Sequence, residues 1–282
     1  KAIDIDDKLL IAKKLLGIAY RQEGKYEKAM EIFKGTLTQA KELDDMYGVQ
    51  WSFGNIGAIF YGKGKFDKAI KWYNYAFEAS KNLETRLDDY HYYWDMGLVY
   101  RDTGEYKKAL EYFNKSLDIN TKYNNDRGIA GSLLQIGIVF HIKRNFEKSS
   151  KYLHHSLQIA QKLNHKDQMG AVYNSLGGMH RKKGEYGKAL EYYNLSLNVF
   201  KDLNMKRGIA GMLNNISSIY SHKGNYEKEL KLCNRSLIII EEIGDNYSKG
   251  LVYGKIGASY WELGKYDIAL EYYSKSIELR NK

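Results

Sequence analysis

A string of fourteen residues returns along this chain at a fixed spacing of 40. Gly104–Leu117 reads GEYKKALEYFNKSL, and Gly184–Leu197 reads GEYGKALEYYNLSL. Gly264–Tyr273 begins a third copy, GKYDIALEYY. The frame runs through the whole chain without insertion or deletion. One glycine slot holds Gly17, Gly57, Gly97, Gly137, Gly177 and Gly257, with Ser217 in the sixth place. A second holds Gly24, Gly64, Gly104, Gly184, Gly224 and Gly264, with Arg144 in the fourth. Between them runs an aromatic slot, Tyr20, Phe60, Tyr100, Phe140, Tyr220 and Tyr260, broken by His180. A strict period of this size means stacked copies of one supersecondary unit, each unable to bury its apolar face alone.

Residues 87–126 show what that unit is. Tyr93, Met96, Gly97 and Tyr100 form an apolar stripe at helical spacing, and Asp102-Thr103-Gly104 ends it. Tyr106, Ala109, Leu110, Phe113 and Leu117 make a second stripe, so the unit is a helix–turn–helix hairpin. Gly97 inside a helix costs about 1 kcal/mol relative to alanine. Its return in other copies predicts a close approach of the two helices, with Ala109 as the small residue opposite. The expectation is an all-α chain of fourteen helices, roughly 7–23, 26–43, 47–63, 66–83 and onward to about 266–280. The seven repeats fall at about 7–46, 47–86, 87–126, 127–166, 167–206, 207–246 and 247–282, within one elongated domain spanning 1–282. Ile3-Asp4 aligns with Leu43-Asp44 and is expected at the end of a preceding second helix and the start of the next loop. Repeat four, with Arg144 for glycine and Ser149-Ser150 for Ala-Leu, predicts a looser or bent hairpin. Repeat six places Glu229 in an alanine slot, where it needs a partner or an exposed path.

The order Leu16-Gly17-Tyr20 in one helix and Ala29-Phe33 in the next resembles the tetratricopeptide repeat, over the whole chain. The 40-residue frame is similar to the long-helix variants of Pins-type adaptors, kinesin light chains and Rap-type regulators. The family's usual proline late in the second helix is absent, and Lys13 stands where the first repeat would carry a large aromatic. The resemblance implies a right-handed α-solenoid, or superhelix. First helices would line its concave wall and second helices form its back.

Composition excludes several function classes. The chain has no proline, 44% hydrophobic residues and 26 tyrosines, which suits uninterrupted amphipathic helices. One cysteine, Cys233, cannot build a disulfide framework and fills the slot of Phe33 and Phe113 as a small core residue. No apolar run is long enough for a membrane span, and no signal peptide is evident. Gly57–Gly64 approaches a phosphate-binding loop but puts Gly64 where a hydroxyl should hold Mg²⁺. The seven histidines have no metal-ligand spacing on a helix, and His180 sits in a core slot. No nucleophile–base pair is visible, so no catalysis and no cofactor are expected. The Asn-x-Ser triplets at Asn114, Asn194, Asn215, Asn234 and Asn246 read as coincidences of helical slots. A net charge of +10 raises nucleic acid, but Lys25, Lys28, Lys65, Lys68, Lys107, Lys108, Lys188 and Lys228 spread along an outer edge. A nucleic-acid binder would concentrate charge on one track.

A binding face follows from the resemblance. Beside the core stripe Phe53, Ile56, Gly57 and Phe60 lies a second stripe, Trp51, Gly54, Asn55, Ala58 and Tyr61, which faces the superhelix axis in related arrays. Carried along the chain it gives Lys14, Arg21, Trp94, Arg101, Gln135, His141, Asn174, Arg181, Asn214, Asn215 and Trp261. Asparagine is a poor helix former, and Asn214-Asn215 in mid-helix has no local reason to be there. Asparagine amides can hold a peptide backbone, and Arg101 and Arg181 can pair carboxylates. The family's carboxylate clamp is incomplete: Lys14 and Asn55 match, but Ile18, His91 and Asp95 do not.

These features point to a non-enzymatic module that holds a protein or peptide segment, expected to be acidic, in its groove. A sensory segment of a larger signalling protein is the alternative; a spacer or a nucleic-acid-binding solenoid ranks below both. The array is expected to be cut from a longer, cytoplasmic protein, and the sequence does not set its oligomeric state.

Overall fold

The computed structural model describes residues 2–81, 83 and 89–280, with side chains for 11–81, 83 and 89–279. Fourteen α-helices and no strand are found among them. They are α1 (Ala2–Gln22), α2 (Tyr26–Glu42), α3 (Met46–Gly62), α4 (Phe66–Ser80), α5 (Asp89–Asp102), α6 (Tyr106–Lys122) and α7 (Asp126–Ile142). There follow α8 (Phe146–Lys162), α9 (Lys166–Lys182), α10 (Tyr186–Asp202), α11 (Lys206–His222), α12 (Tyr226–Ile243), α13 (Asn246–Glu262) and α14 (Tyr266–Arg280). The helices fall into two compact units, Lys1–Val139 and Phe140–Lys282. The expected end of α4 near 83 and the repeat boundary at 86/87 touch residues 82 and 84–88, which lie outside the described residues.

Each hairpin turn is closed by the chain's own backbone. Gly104 takes φ +83°, its N–H donates to the carbonyl of Arg101 at 3.2 Å, and the N–H of Glu105 reaches that of Tyr100 at 2.8 Å. This pair of bonds satisfies the carbonyls that a helix end leaves free, and it requires a left-handed residue. Turns between hairpins use the same device at Asp44, Asn124, Asn164, Asn204 and Gly244. Within repeat four the turn itself matches the others. Arg144 accepts φ +59°, and the bonds Arg144 N–H to His141 O (3.0 Å) and Asn145 N–H to Phe140 O (2.9 Å) match those of the glycine turns. The turn is not loosened, because the bonds belong to the backbone and the arginine absorbs the strain. The N-terminus differs from the expectation. α1 begins at Ala2, so Ile3-Asp4 lies inside the first helix and not at a helix end followed by a loop; the stretch before Gly17 contains no glycine to end a helix, and Asp4 avoids the left-handed backbone that Asp44 adopts.

The atoms nearest the glycine slot inside the first helix belong to a ring, and at Gly257 the backbone carbonyl of Ala269, the counterpart of Ala109, follows at 3.2 Å. A Cβ on Gly97 would lie 2.5 Å from Cε1 of Phe113, and Ala109 is buried one turn away. Gly17 meets Phe33, Gly57 meets Tyr73, Gly177 meets Tyr193 and Gly257 meets Tyr273 in the same way. The missing side chain therefore makes room for an aromatic ring of the second helix in these repeats. Where serine fills the slot, the ring is gone: Ser217 Oγ lies 3.5 Å from the buried thiol of Cys233.

Other slots are explained by similar contacts. Ser116, Ser196, Ser236 and Ser276 each donate a hydroxyl to a first-helix carbonyl of the same repeat, at Tyr90, Gly170, Ala210 and Gly250. Ser116, Ser196 and Ser236 are fully buried, which suits the reading of their Asn-x-Ser triplets as structural. His180 stacks on Tyr192 at 5.3 Å as Tyr100 stacks on Tyr112, and its Nδ1 lies 2.6 Å from Glu185 Oε2. Lys183 and then His180 hold the Glu185 carboxyl down to about 2.

Glu229 is buried (3% exposed) with no hydrogen-bond partner for Oε2. The aligned Ala29, Ala69, Ala109, Ala189 and Ala269 are all completely buried. A buried acceptor without a partner costs about 1–3 kcal/mol. Glu229→Ala is therefore expected to raise the unfolding free energy by about 1–3 kcal/mol in a urea titration. A fall would mean that attraction to Lys255, on α13, outweighs the burial cost.

Candidate functional site

The polar stripe of the first helices carries the candidate site, and each unit arranges it differently. In the first unit, α1, α3, α4 and α5 enclose a cavity of about 410 Å³. Its walls include Ile18 and Arg21 of α1, Trp51, Asn55 and Ala58 of α3, Tyr73 of α4, and His91, Tyr92 and Asp95 of α5. Three stripe residues predicted from sequence, Arg21, Trp51 and Asn55, meet here. Trp51 stands edge-on to Phe33 at 5.4 Å, with the Lys14 ammonium 5.2 Å from its ring centre. The Asn55 amide donates to the Trp51 carbonyl at 2.9 Å, which leaves its oxygen free for other donors. Arg21 Nε is buried with no partner. Asp95 is half-buried, and desolvation pushes its carboxyl up to about 7 although Arg21 pulls the other way.

Further along this unit the stripe is tied up internally. Arg101 donates from Nε to Asp102 Oδ1 (2.8 Å) and from Nη1 to Gln135 Oε1 (2.6 Å). Tyr61 donates its hydroxyl to the other oxygen of Asp102. Arg101, Gln135 and Tyr61 thus form one network that already holds a carboxylate, so the sequence-based assignment of Arg101 to a partner's acid is weakened by Asp102. Trp94 leans edge-on against Phe113 at 6.0 Å and serves the core as well as the face.

In the second unit the stripe is a ladder of amides and cations. Asn215 donates to Asn174 Oδ1 at 2.9 Å, which gives one of the mid-helix asparagines the structural reason that sequence did not supply. Lys255 Nζ donates to the Asn214 carbonyl (2.8 Å) and to Ser218 Oγ (2.6 Å). Burial lowers the Lys255 pKa. Asn214 Oδ1, Arg181 Nε and His141 Nδ1 are all buried without a partner. Burial, with Lys182 and Arg181 close by, presses the His141 imidazole down to about 4, so it is neutral at pH 7. Trp261 stands apart, 51% exposed and edge-on to Tyr266 at 4.8 Å.

Asp95 and Lys255 are the residues that sequence reasoning left out. Both occupy the slot of Asn55, Gln135 and Asn215, so applying the 40-residue frame without selecting for asparagine and glutamine would have found them. No set of three or more His, Cys, Asp or Glu able to hold a metal ion occurs among the described residues. No helix among them is long and apolar enough to cross a membrane.

The Tetratricopeptide repeat family matches residues 8–82, 48–122, 128–202 and 208–282. The chain belongs to the tetratricopeptide repeat family. Among solved structures, this tetratricopeptide array is similar to the apo form of RapI, with a TM-score of 0.70 at 20% identity over 96% of this chain and 97% of that one. It is similar to the Rap conjugation gene regulator of the plasmid pLS20 in complex with the Phr* peptide, with a TM-score of 0.68 at 14% identity over 86% and 76%. A signal transduction ATPase with a tetratricopeptide repeat sensor from Pyrococcus horikoshii gives 0.66 at 20% identity, over 96% of this chain and 42% of that protein. At these identities the likeness is one of fold. No curated protein matches the sequence.

Proposed function

We propose that this tetratricopeptide array is a non-catalytic binding module that holds a peptide segment of a protein partner on the polar stripe of its first helices. The observation that carries the reading is the set of buried, unpartnered polar atoms on that stripe: Arg21 Nε, His141 Nδ1, Arg181 Nε and Asn214 Oδ1. Such atoms are costly when left unpaired, and a peptide backbone or carboxylate would satisfy them. A structural neighbour that binds the Phr* peptide supports the ligand class. The preference for acidic segments rests on the second unit, where Arg181, Lys182 and Lys255 lie within electrostatic range of His141 or of one another.

Acidic peptides selected on the intact chain by display test this reading. Arg181→Gln is expected to weaken the selected peptide about thirtyfold, the loss of a desolvated charge-assisted pair. Arg101→Gln should change binding less than about threefold, since Asp102 and Gln135 already hold that guanidinium. Lys188→Gln, on the exposed outer edge, is the control. Equal binding by wild type and Arg181→Gln would remove the second-unit ladder from the site.

A further inference from the structure

The cavity of the first unit brings together a guanidinium and a carboxyl that burial keeps partly protonated near pH 7. Asp95 is subject to burial and to the distant pull of Arg21, with no hydrogen bond to its carboxylate. Arg21 keeps a buried Nε–H without an acceptor. They come from repeats one and three and lie 74 positions apart (95 − 21). The second unit has the same pair of slots, again 74 apart (255 − 181), but fills them with Arg181 and Lys255. The repeat frame therefore does not demand an acid at this place. The first unit has one, set among aromatic walls.

We propose that this cavity binds a small zwitterion, an α-amino acid with an apolar or aromatic side chain, its carboxylate on Arg21 and its ammonium on Asp95. The choice follows by elimination among charge types. A plain cation would meet the Arg21 guanidinium, and a plain anion would meet Asp95 wherever that carboxyl is ionised, above about pH 7. A neutral apolar ligand would leave both groups desolvated and without a partner. A zwitterion satisfies both at once. The volume of about 410 Å³ suits a molecule of that size. Trp51 and Tyr92 line the cavity with aromatic surface for the apolar body, and the oxygen of Asn55 is a further acceptor. Arg21, Trp51 and Asn55 also belong to the proposed peptide face, but this assignment does not need that reading, and its test contains no peptide.

Isothermal titration of the intact chain with tryptophan, leucine, glutamate and lysine tests it. Each is compared with the amine lacking the carboxylate and the acid lacking the ammonium. One apolar amino acid is expected to bind in the micromolar to low millimolar range, with both of its analogues at least about tenfold weaker. Asp95→Asn and Arg21→Ser should each weaken it at least about tenfold. The chain already carries Asn55 and Asn215 in the first slot and Ser221 in the second, so the fold accommodates these residues, as circular dichroism would verify. Asp95→Lys, which copies Lys255, serves as a second variant and should abolish binding. No heat with any amino acid at about 10 mM would overturn the proposal. So would an amine that binds as tightly as its amino acid, or unchanged binding in Asp95→Asn.

Discussion

Phe113→Cys lowers the unfolding free energy of the first unit by about 3 kcal/mol, and Gly97→Ser added to it restores part of the loss. Phe113 is completely buried, so truncation removes its transfer energy and leaves a cavity. Gly97→Ser alone is also expected to destabilise, by about 1–3 kcal/mol, because its Cβ would lie 2.5 Å from the Phe113 ring. Serine's better helix propensity offsets only a few tenths of that. Together the two changes recreate Ser217 and Cys233, which the sixth repeat packs without a ring. A coupling of at least about 1 kcal/mol should appear in the double-mutant cycle. Arrays of this kind can unfold in parts. Trp94 fluorescence followed through a urea titration therefore reads the affected hairpin directly, since the indole packs on Phe113. Strict additivity would show that ring size is not what the glycine accommodates.

Asp95→Asn should make the protein more stable above pH 7, and the gain should fade as the pH falls toward 4. Burial raises the folded-state pKa from 3.8 to about 7. Between those values the folded state keeps a proton that the unfolded chain has released, so stability declines as pH rises through the window. Roughly three units at 1.36 kcal/mol per unit set an upper bound of about 4 kcal/mol on the loss. Asparagine has no charge to desolvate, and the variant's denaturation midpoint should stay flat where the wild type falls. A parallel decline in both proteins would mean that other groups set the pH dependence. The same substitution is expected to cost ligand affinity, the usual exchange between a strained site and a stable fold.

The architecture was almost wholly legible in the sequence, because period, turn residues and apolar stripes all agree on one hairpin. What was misread was depth. Spacing showed that Gly97 needs room, but only packing shows that the Phe113 ring takes most of it. Arg144 looked like damage to a turn, yet backbone bonds hold it in the same conformation as glycine. On the stripe, Arg21, Trp51 and Asn55 were found as a group, and Asn174 with Asn215 as a pair. Arg101 was given to a partner although its own neighbour in sequence, Asp102, holds it. Whether a side chain is free depends on rotamers and on contacts 34 or 41 residues away, and periodicity alone does not report them.

The turns between hairpins have a consequence for how such a chain changes over generations. Those at Asp44, Asn124, Asn164, Asn204 and Gly244 close locally, with a left-handed residue and two backbone bonds, and consult no distant part of the molecule. Unequal recombination that adds or deletes forty codons at these turns would leave the other such junctions intact. Length can thus drift in whole hairpins while the lining of each one is revised separately, as the acid at 95 and the lysine at 255 already illustrate.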